Sequence, residues 1–402
     1  MPWREMSPME QRVDFVREYA TELFTMTELA AQYGISRKTA YKWLERYEAD
    51  GVDGLRNRSR RPQASPHATD PELVDVLVGL RRRHPQWGAT KLLTVAARHL
   101  PEAAWPCRST VSTLLKQRGL VQARRRRPPA PPSARPPLAA MTRPNAVWTT
   151  DFKGEFRTGD GRYCYPLTLR DGFSRFVLRC DALRDRTTAE TRQRFLRAFA
   201  EYGLPERIRS DNGSPFASPG LAGLSQLAVW WIRLGIRPER IAPGHPEQNG
   251  SHEQFHAVLK RATTRPPASS AAAQQRRFGR FRTEYNEDRP HAALQNDTPA
   301  QHYAPSPRPL PARLPPLEYP GHLDLRVVGS DGCVSWRGAR VFVATPLAGE
   351  VVAFEEIDDG VWTLHFASVA LARYDERQRT FHPLALAVTE ARSAGVAGSA
   401  RD

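Results

Sequence analysis

Three acidic positions carry the chemistry. Asp151 follows the β-rich run Val147-Trp148-Thr149-Thr150, and Asp211 closes Arg207-Ile208-Arg209-Ser210 ahead of Asn212-Gly213. A third carboxylate, Glu247 or Glu253, lies at or within a helix near Gly250 to Ala262. Carboxylates drawn from separate elements to one point are the donors that Mg²⁺ prefers, because this hard cation takes oxygen ligands and keeps several waters. His252 and His256, four apart, have the spacing of a zinc pair, but no cysteine or third histidine stands at suitable spacing, so a zinc site is rejected. Taken singly, each acid also has an ordinary reading: an edge-strand residue, an Asp-Asn-Gly turn, an exposed helix position.

A sheet has to bring these acids together. Alternation puts Val147, Thr149 and Asp151 on one face of a strand. Residues 163–169 and 176–180 read as two more strands joined at Asp171-Gly172. An amphipathic helix over 187–202 closes at Gly203-Leu204-Pro205. A short strand then ends at Asp211, a helix covers 221–234, a strand covers 236–241, and a helix follows near 250–262. Three strands followed by α/β alternation make a mixed α/β sheet. On the last helix Phe255, Val258, Leu259 and Ala262 form an apolar stripe, while Glu253, His256, Ala257 and Lys260 share another face.

Three runs in this order resemble one family. They are Trp148-Thr149-Thr150-Asp151-Phe152, then Ser210-Asp211-Asn212-Gly213-Ser214-Pro215-Phe216, then His245-Pro246-Glu247-Gln248-Asn249-Gly250-Ser251-His252-Glu253-Gln254-Phe255-His256. Together they are similar to the DDE catalytic core of insertion-sequence transposases and retroviral integrases. Tyr285-Asn286, Arg289-Pro290-His291, Leu294 and Thr298-Pro299-Ala300 match the transposase side of that group. The resemblance implies an RNase H-like fold, two Mg²⁺ ions (Mn²⁺ as a substitute), and DNA strand cleavage and joining. Metal pairs serve that chemistry by activating the attacking oxygen and stabilising the leaving one. Glu247 lies 35 residues beyond Asp211, a separation familiar in the family, and Glu253 lies 41 residues beyond it. In the family the glutamate follows a Pro-Gln-x-x-Gly type turn, which Pro246-Glu247-Gln248-Asn249-Gly250 matches. Glu253 therefore takes the catalytic position, with Asp151, Asp211 and Glu253 as catalytic and metal-binding residues. His256 and Lys260 are expected to touch DNA phosphate beside the metals, and Asn212 and Asn249 to orient backbone. Asp171, Ser174 and Arg175 form a structural hairpin, and Trp230-Trp231 fill core.

The N-terminal third is helical. Val13, Phe15, Val16, Tyr19 and Leu23 fall on one stripe; Thr27 is the expected cap of a second helix, and Ser36 of a third running to Asp50. Two short helices joined by Gly34-Ile35-Ser36 have helix-turn-helix dimensions. Their apolar positions are Leu29, Ala30, Tyr33, Ile35, Ala40 and Trp43, and Arg37, Lys38, Thr39, Tyr41 and Lys42 face DNA. A second, weaker helix-turn-helix-like unit spans 68–122. Arg124, Arg125, Arg126 and Arg127 follow and are expected to track phosphates.

The chain has 402 residues, 59 Lys+Arg against 43 Asp+Glu, and a formal net charge of +16, so a polyanionic partner is expected, with nucleic acid the usual case. No apolar run is long enough to span a membrane, and the N-terminus lacks the apolar stretch of a secretory signal. The location expected is cytoplasmic, at the nucleoid. Proline clusters mark boundaries: helix-turn-helix unit 1–62, second helical unit 68–122, Arg/Pro-rich linker 123–144, catalytic core 145–303, Pro-rich linker 304–320, a small SH3-like β-barrel 321–384, and a tail 385–402. The fold class is thus multidomain: all-α helix-turn-helix units, a central α/β RNase H-like mixed sheet, and a C-terminal barrel whose role is DNA or protomer contact.

The functional expectation is a transposase that binds the terminal inverted repeats of a mobile element and acts as a homo-oligomer on double-stranded DNA. The competing readings are a non-catalytic DNA-binding regulator derived from one, and a plain nuclease of the same fold.

Overall fold

The computed structural model describes residues 6–58, 68–121, 138–218, 220–241 and 250–384. It divides into two compact units, Met1–Asp70 and Pro71–Asp402.

In the first unit α1 (Pro8–Tyr19), α2 (Met26–Gln32) and α3 (Arg37–Asp50) close around Phe15, Val16, Leu29, Ala30, Ala40, Trp43 and Leu55. The expected apolar positions of the helix-turn-helix are those that pack. Leu23 lies beyond α1 and is 79% exposed, and the cap of α2 is Thr25. Thr25 and Glu28 make the reciprocal pair that satisfies two free N–H groups at a helix start. Thr27, two residues on, lies inside the first turn and cannot serve.

The second unit begins with α4 (Pro71–Arg83), α5 (Ala89–His99) and α6 (Arg108–Gln117), packed through Leu77, Leu80, Trp87, Leu92, Ala96, Val111 and Leu115. The central sheet follows: β1 (Val147–Phe152), β2 (Phe156–Arg157), β3 (Tyr163–Asp171), β4 (Val177–Leu183), β5 (Arg207–Ser210) and β6 (Arg237–Arg240). Its order is β2-β3-β1-β5-β6, with β4 also on β3. β1, β3 and β4 pair antiparallel, whereas β5 and β6 run parallel to β1. Helices α7 (Thr188–Tyr202) and α8 (Gln226–Arg233) cover one side through Phe195, Phe199, Trp230 and Trp231. Helices α9 (Gly250–Thr263) and α10 (Ala271–Thr283) join β3 and β4 residues through Phe255, Leu259, Phe278 and Phe281. The helix expected over 221–234 shortens to α8, since Leu221–Gly223 forms a separate turn with Ala222 at φ 51°.

Residues 304–320, expected as a spacer, are strapped down. Ser306 N–H donates to Tyr202 O (2.8 Å), Leu204 N–H to Arg308 O (2.7 Å), and Arg308 reaches Pro205 O and Leu234 O. Gly203 lies under this strap at φ +75°, where a Cβ would stand 2.6 Å from Ser306 O. That position therefore needs glycine.

The C-terminal strands are β7 (Asp324–Val327), β8 (Cys333–Trp336), β9 (Ala339–Phe342), β10 (Val351–Asp358), β11 (Val361–Phe366), β12 (Val369–Asp375) and β13 (Thr380–Pro383). They form an open antiparallel sheet ordered β13-β12-β11-β10-β7 and a separate β8–β9 hairpin, so among the described residues the expected barrel does not close. Trp336, Phe354, Trp362 and Tyr374 share one core with Leu224, Ala228, Val229 and Ile232. The sheet buries its apolar face against α8, which removes the need for closure.

Candidate active site

Two of the acids are juxtaposed by strand register. Parallel pairing sets Val147, Trp148 and Thr149 beside Arg207, Ile208 and Arg209. Continued by two residues, the same offset carries Asp151 alongside Asp211, just past the end of β5, on neighbouring strands whose usual spacing is about 5 Å. Asp151 is raised to about 7, first by burial, then by the Asp211 charge, and further by Glu253. Burial also raises Asp211, opposed by the Gly213 N–H (3.2 Å from Oδ1) and by Arg186. Asn212 Nδ2 donates to Ile241 O (2.8 Å) and so ties the end of β5 to the chain leaving β6.

Helix α9 delivers Glu253, and buried polar contacts seat it. His252 Nδ1 stands 2.9 Å from Thr149 Oγ1, and the Nε2 atoms of His252 and His256 stand 2.7 and 2.8 Å from Thr168 Oγ1. Thr168 in turn donates to Asp151 O (3.0 Å), and Arg170 Nη1 donates to Ser251 O (2.9 Å). The buried stripe of α9 is His252, Phe255, His256, Leu259 and Thr263, which leaves Glu253 and Lys260 outside.

His256 therefore does not share the face of Glu253, and the expectation that it contacts phosphate is corrected. It is 7% exposed, with Nδ1 3.7 Å from Asp151 Oδ2, and burial lowers it to about 3, so it is neutral near pH 7. Both histidines are spent on threonine hydroxyls, consistent with rejecting zinc. Thr168→Val keeps the shape but orphans both Nε2 atoms. It is expected to cost about 1–3 kcal/mol for each group left unpaired, read as a lowered urea midpoint with an unchanged m-value.

Lys153 was not singled out from sequence, yet its charge lowers Asp151, and Lys260 acts on it in turn. Its signal is positional, two residues past Asp151 on the same face. Among the described residues, no group of three His, Cys, Asp or Glu side chains forms a ready metal cluster. The donor set nevertheless suits Mg²⁺: two hard carboxylates held side by side, raised by burial and one by its neighbour's charge, with a third close enough to be felt.

On α3, Arg37, Lys38, Tyr41 and Lys42 are exposed, whereas Thr39 is half-buried with its hydroxyl 2.9 Å from Ser36 Oγ. Arg124 to Arg127, Glu247 and Asn249 lie outside the described residues. Asp171 accepts from Asn145 N and from Ser174 N and Oγ (2.6–2.7 Å), which makes its hairpin structural.

Known families match parts of the chain. A family described as Integrase core domain matches residues 141–246, and a second of that description matches 234–299. A Helix-turn-helix domain matches 11–63, and a Homeodomain-like domain matches 39–115. The Insertion element IS476 uncharacterized 39.2 kDa protein of Xanthomonas euvesicatoria is 25% identical over 278 residues, 69% of this chain and 78% of its own. The Insertion element IS407 uncharacterized 31.7 kDa protein of Burkholderia multivorans is 26% identical over 249 residues, 62% of this chain and 86% of its own. Among solved structures, the HTLV-2 integrase catalytic core domain in complex with magnesium is 19% identical, covers 40% of this chain and 99% of its own, and superposes with a TM-score of 0.33.

Proposed function

Since the chain carries an integrase core behind helix-turn-helix units and is related to insertion-element proteins, we propose that it is a DDE transposase. In this reading the helix-turn-helix units recognise the terminal inverted repeats of a mobile element. The core then cleaves phosphodiester bonds to free 3′-OH ends and joins those ends to target DNA. The observation that carries it is the β1–β5 register, which brings Asp151 beside Asp211 beneath the helix bearing Glu253. Asp151, Asp211 and Glu253 would hold Mg²⁺, which when bound supplies charge to activate the attacking oxygen and to stabilise the leaving one.

The chain's own groups do the remaining work. Lys260 and Lys153 offer cations to the substrate phosphate beside the acids. The His252–Thr168–His256 network keeps α9 in place. Arg37, Lys38, Tyr41 and Lys42 contact DNA from α3, and Arg124 to Arg127 track its backbone. Pairing two element ends calls for a homo-oligomer on DNA.

The test separates the two glutamates. On a labelled fragment ending in the terminal repeat, Glu253→Gln is expected to abolish Mg²⁺-dependent cleavage, with Glu247→Gln retaining it. The reverse pattern would reassign the third ligand. Absence of cleavage in wild type itself would leave the regulator reading standing.

A further inference from the structure

A second concentration of charge lies away from the acids, where α5 meets the tail after α10. That tail is docked on the helical unit: His84 Nδ1 is 3.0 Å from Glu284 Oε1, and Arg98 Nη2 donates to Asn296 O at 3.0 Å. Around Tyr285 gather His291 (ring centroids 4.7 Å apart), Arg289 (Cζ 5.8 Å from the ring) and Phe255 (5.2 Å), and Arg170 lies over the Phe255 ring (4.8 Å). The charge of Lys91 on α5 acts on His291, and that of Arg289 acts on Lys91.

None of these groups makes an ion pair, although Asp171 acts on Arg170 and Glu284 on Arg289 from farther off. No carboxylate lies within ion-pair distance of Lys91, Arg170, Arg289 or His291 among the described residues. Glu284, whose charge acts on Arg289, is engaged by His84. The Nε atoms of Arg170 and Arg289 and Nε2 of His291 are buried without any hydrogen-bond partner. Arg170 is 1% exposed and His291 7%, whereas Lys91 and Arg289 are half-buried and reachable from solvent. Burial lowers His291 to about 3, so it is neutral near pH 7 and the like charges are those of Lys91, Arg170 and Arg289. Buried polar groups are normally paired, and like charges without an ion-pair partner oppose folding.

We propose that Lys91, Arg170, Arg289 and His291 form a binding site for a backbone phosphate of DNA. The assignment rests on the reading of the chain as a protein that acts on DNA. An anion here would meet several unpaired donors and cancel their mutual repulsion. Arg170 also holds Ser251 O, two residues before Glu253, so a strand held at this site is anchored next to the helix that supplies the third acid.

The test uses the full chain, a duplex of arbitrary sequence and inorganic phosphate. Lys91→Met removes a cation while keeping the apolar stem. Without ligand it is expected to raise Tm by about 2 °C, the opposite of what an ordinary structural lysine would give. It should also lower the slope of log K against log salt by about 1, as for one lost phosphate contact. Millimolar phosphate should stabilise wild type against chloride at matched ionic strength, and Lys91→Met less. Lys91→Arg should restore the slope. Arg289→Gln, on the other element, should reproduce the loss of slope. An unchanged slope in Lys91→Met and Arg289→Gln overturns the proposal, and phosphate protection with unchanged slopes reduces the cluster to a free-anion site. Mg²⁺-dependent cleavage by wild type is assayed in parallel. If it is absent while the slopes differ, the catalytic reading falls and the site stands; if it is present while the slopes agree, the site falls alone.

Discussion

Asp151→Asn is expected to abolish Mg²⁺-dependent cleavage and joining of DNA and, in the same molecule, to make the metal-free protein more stable above pH 7. The first effect should reach roughly a thousandfold or more, since charge stabilisation by a bound metal is worth several kcal/mol. The second follows from linkage. In the unfolded chain an aspartate titrates near pH ~3.9; in the fold Asp151 is raised to about 7 by burial and by the Asp211 charge.

Below pH ~4 both states carry the proton and the group contributes nothing. As pH rises through the interval up to 7, the unfolded chain releases its proton while the folded chain retains it, so stability falls. Above 7 the loss is complete, with an upper bound on the order of 4 kcal/mol. Asparagine has no charge to place beside Asp211, so the variant should show a flatter profile and a higher urea midpoint at pH 8 in EDTA. Added Mg²⁺ should raise the midpoint of wild type and leave the variant nearly unmoved. A lower midpoint for Asp151→Asn at pH 8 would make Asp151 an ordinary structural acid. The carboxylate pair would then owe nothing to a cation.

Much of this was readable along the chain, and the misses have physical causes. Alternation in Val147–Phe152 and the strand ending at Asp211 sufficed to place two acids, because strand period and β-propensity are local properties. The parallel register that sets them side by side is not local, and no spacing announces it. On α9 the apolar stripe was drawn from Phe255, Val258, Leu259 and Ala262, yet the buried face runs through His252 and His256 and leaves Ala262 exposed. Two histidines count as polar in any periodicity, and hydroxyls far off in the chain, Thr168 for both and Thr149 for His252, make their burial tolerable. The helix over Ala271–Thr283 went unread because Gln, Arg and Gly interrupt its stripe. Gln274 and Gln275 are used inward, accepting from Ala268 N and Ala182 N at 2.9 and 2.7 Å. The C-terminal strands were legible as strands, but whether a small sheet closes or lies open is decided by what covers it. Here that cover is α8.

The other large effect is expected at α3. The joint replacement Arg37→Ala, Lys38→Ala, Lys42→Ala should weaken DNA binding about a hundredfold or more at moderate salt and reduce the salt slope by about 3, with the melting temperature little changed. The core of that unit is Phe15, Leu29, Ala40 and Trp43, and all three replaced residues are exposed outside it. Lys42 is partly ordered already, with Nζ 4.7 Å from the centre of the Trp43 ring, a ring also approached by Arg12 at 3.9 Å. Charge along α3 is graded, with Arg37, Lys38 and Lys42 in its first half and Glu45, Glu48 and Asp50 against Arg46 in its second. That arrangement suits a helix entering a groove by its N-terminal end and gives an evenly solvated helix no advantage. Thr39→Ala is the contrasting case: its hydroxyl is held at 2.9 Å by Ser36, so stability should fall more than affinity. Read by fluorescence anisotropy beside Asp211→Asn, which should keep end binding and lose strand transfer, the α3 variant separates recognition from chemistry. Unchanged affinity and slope in the triple variant would leave α3 a plain solvated face and shift recognition to the second helical unit.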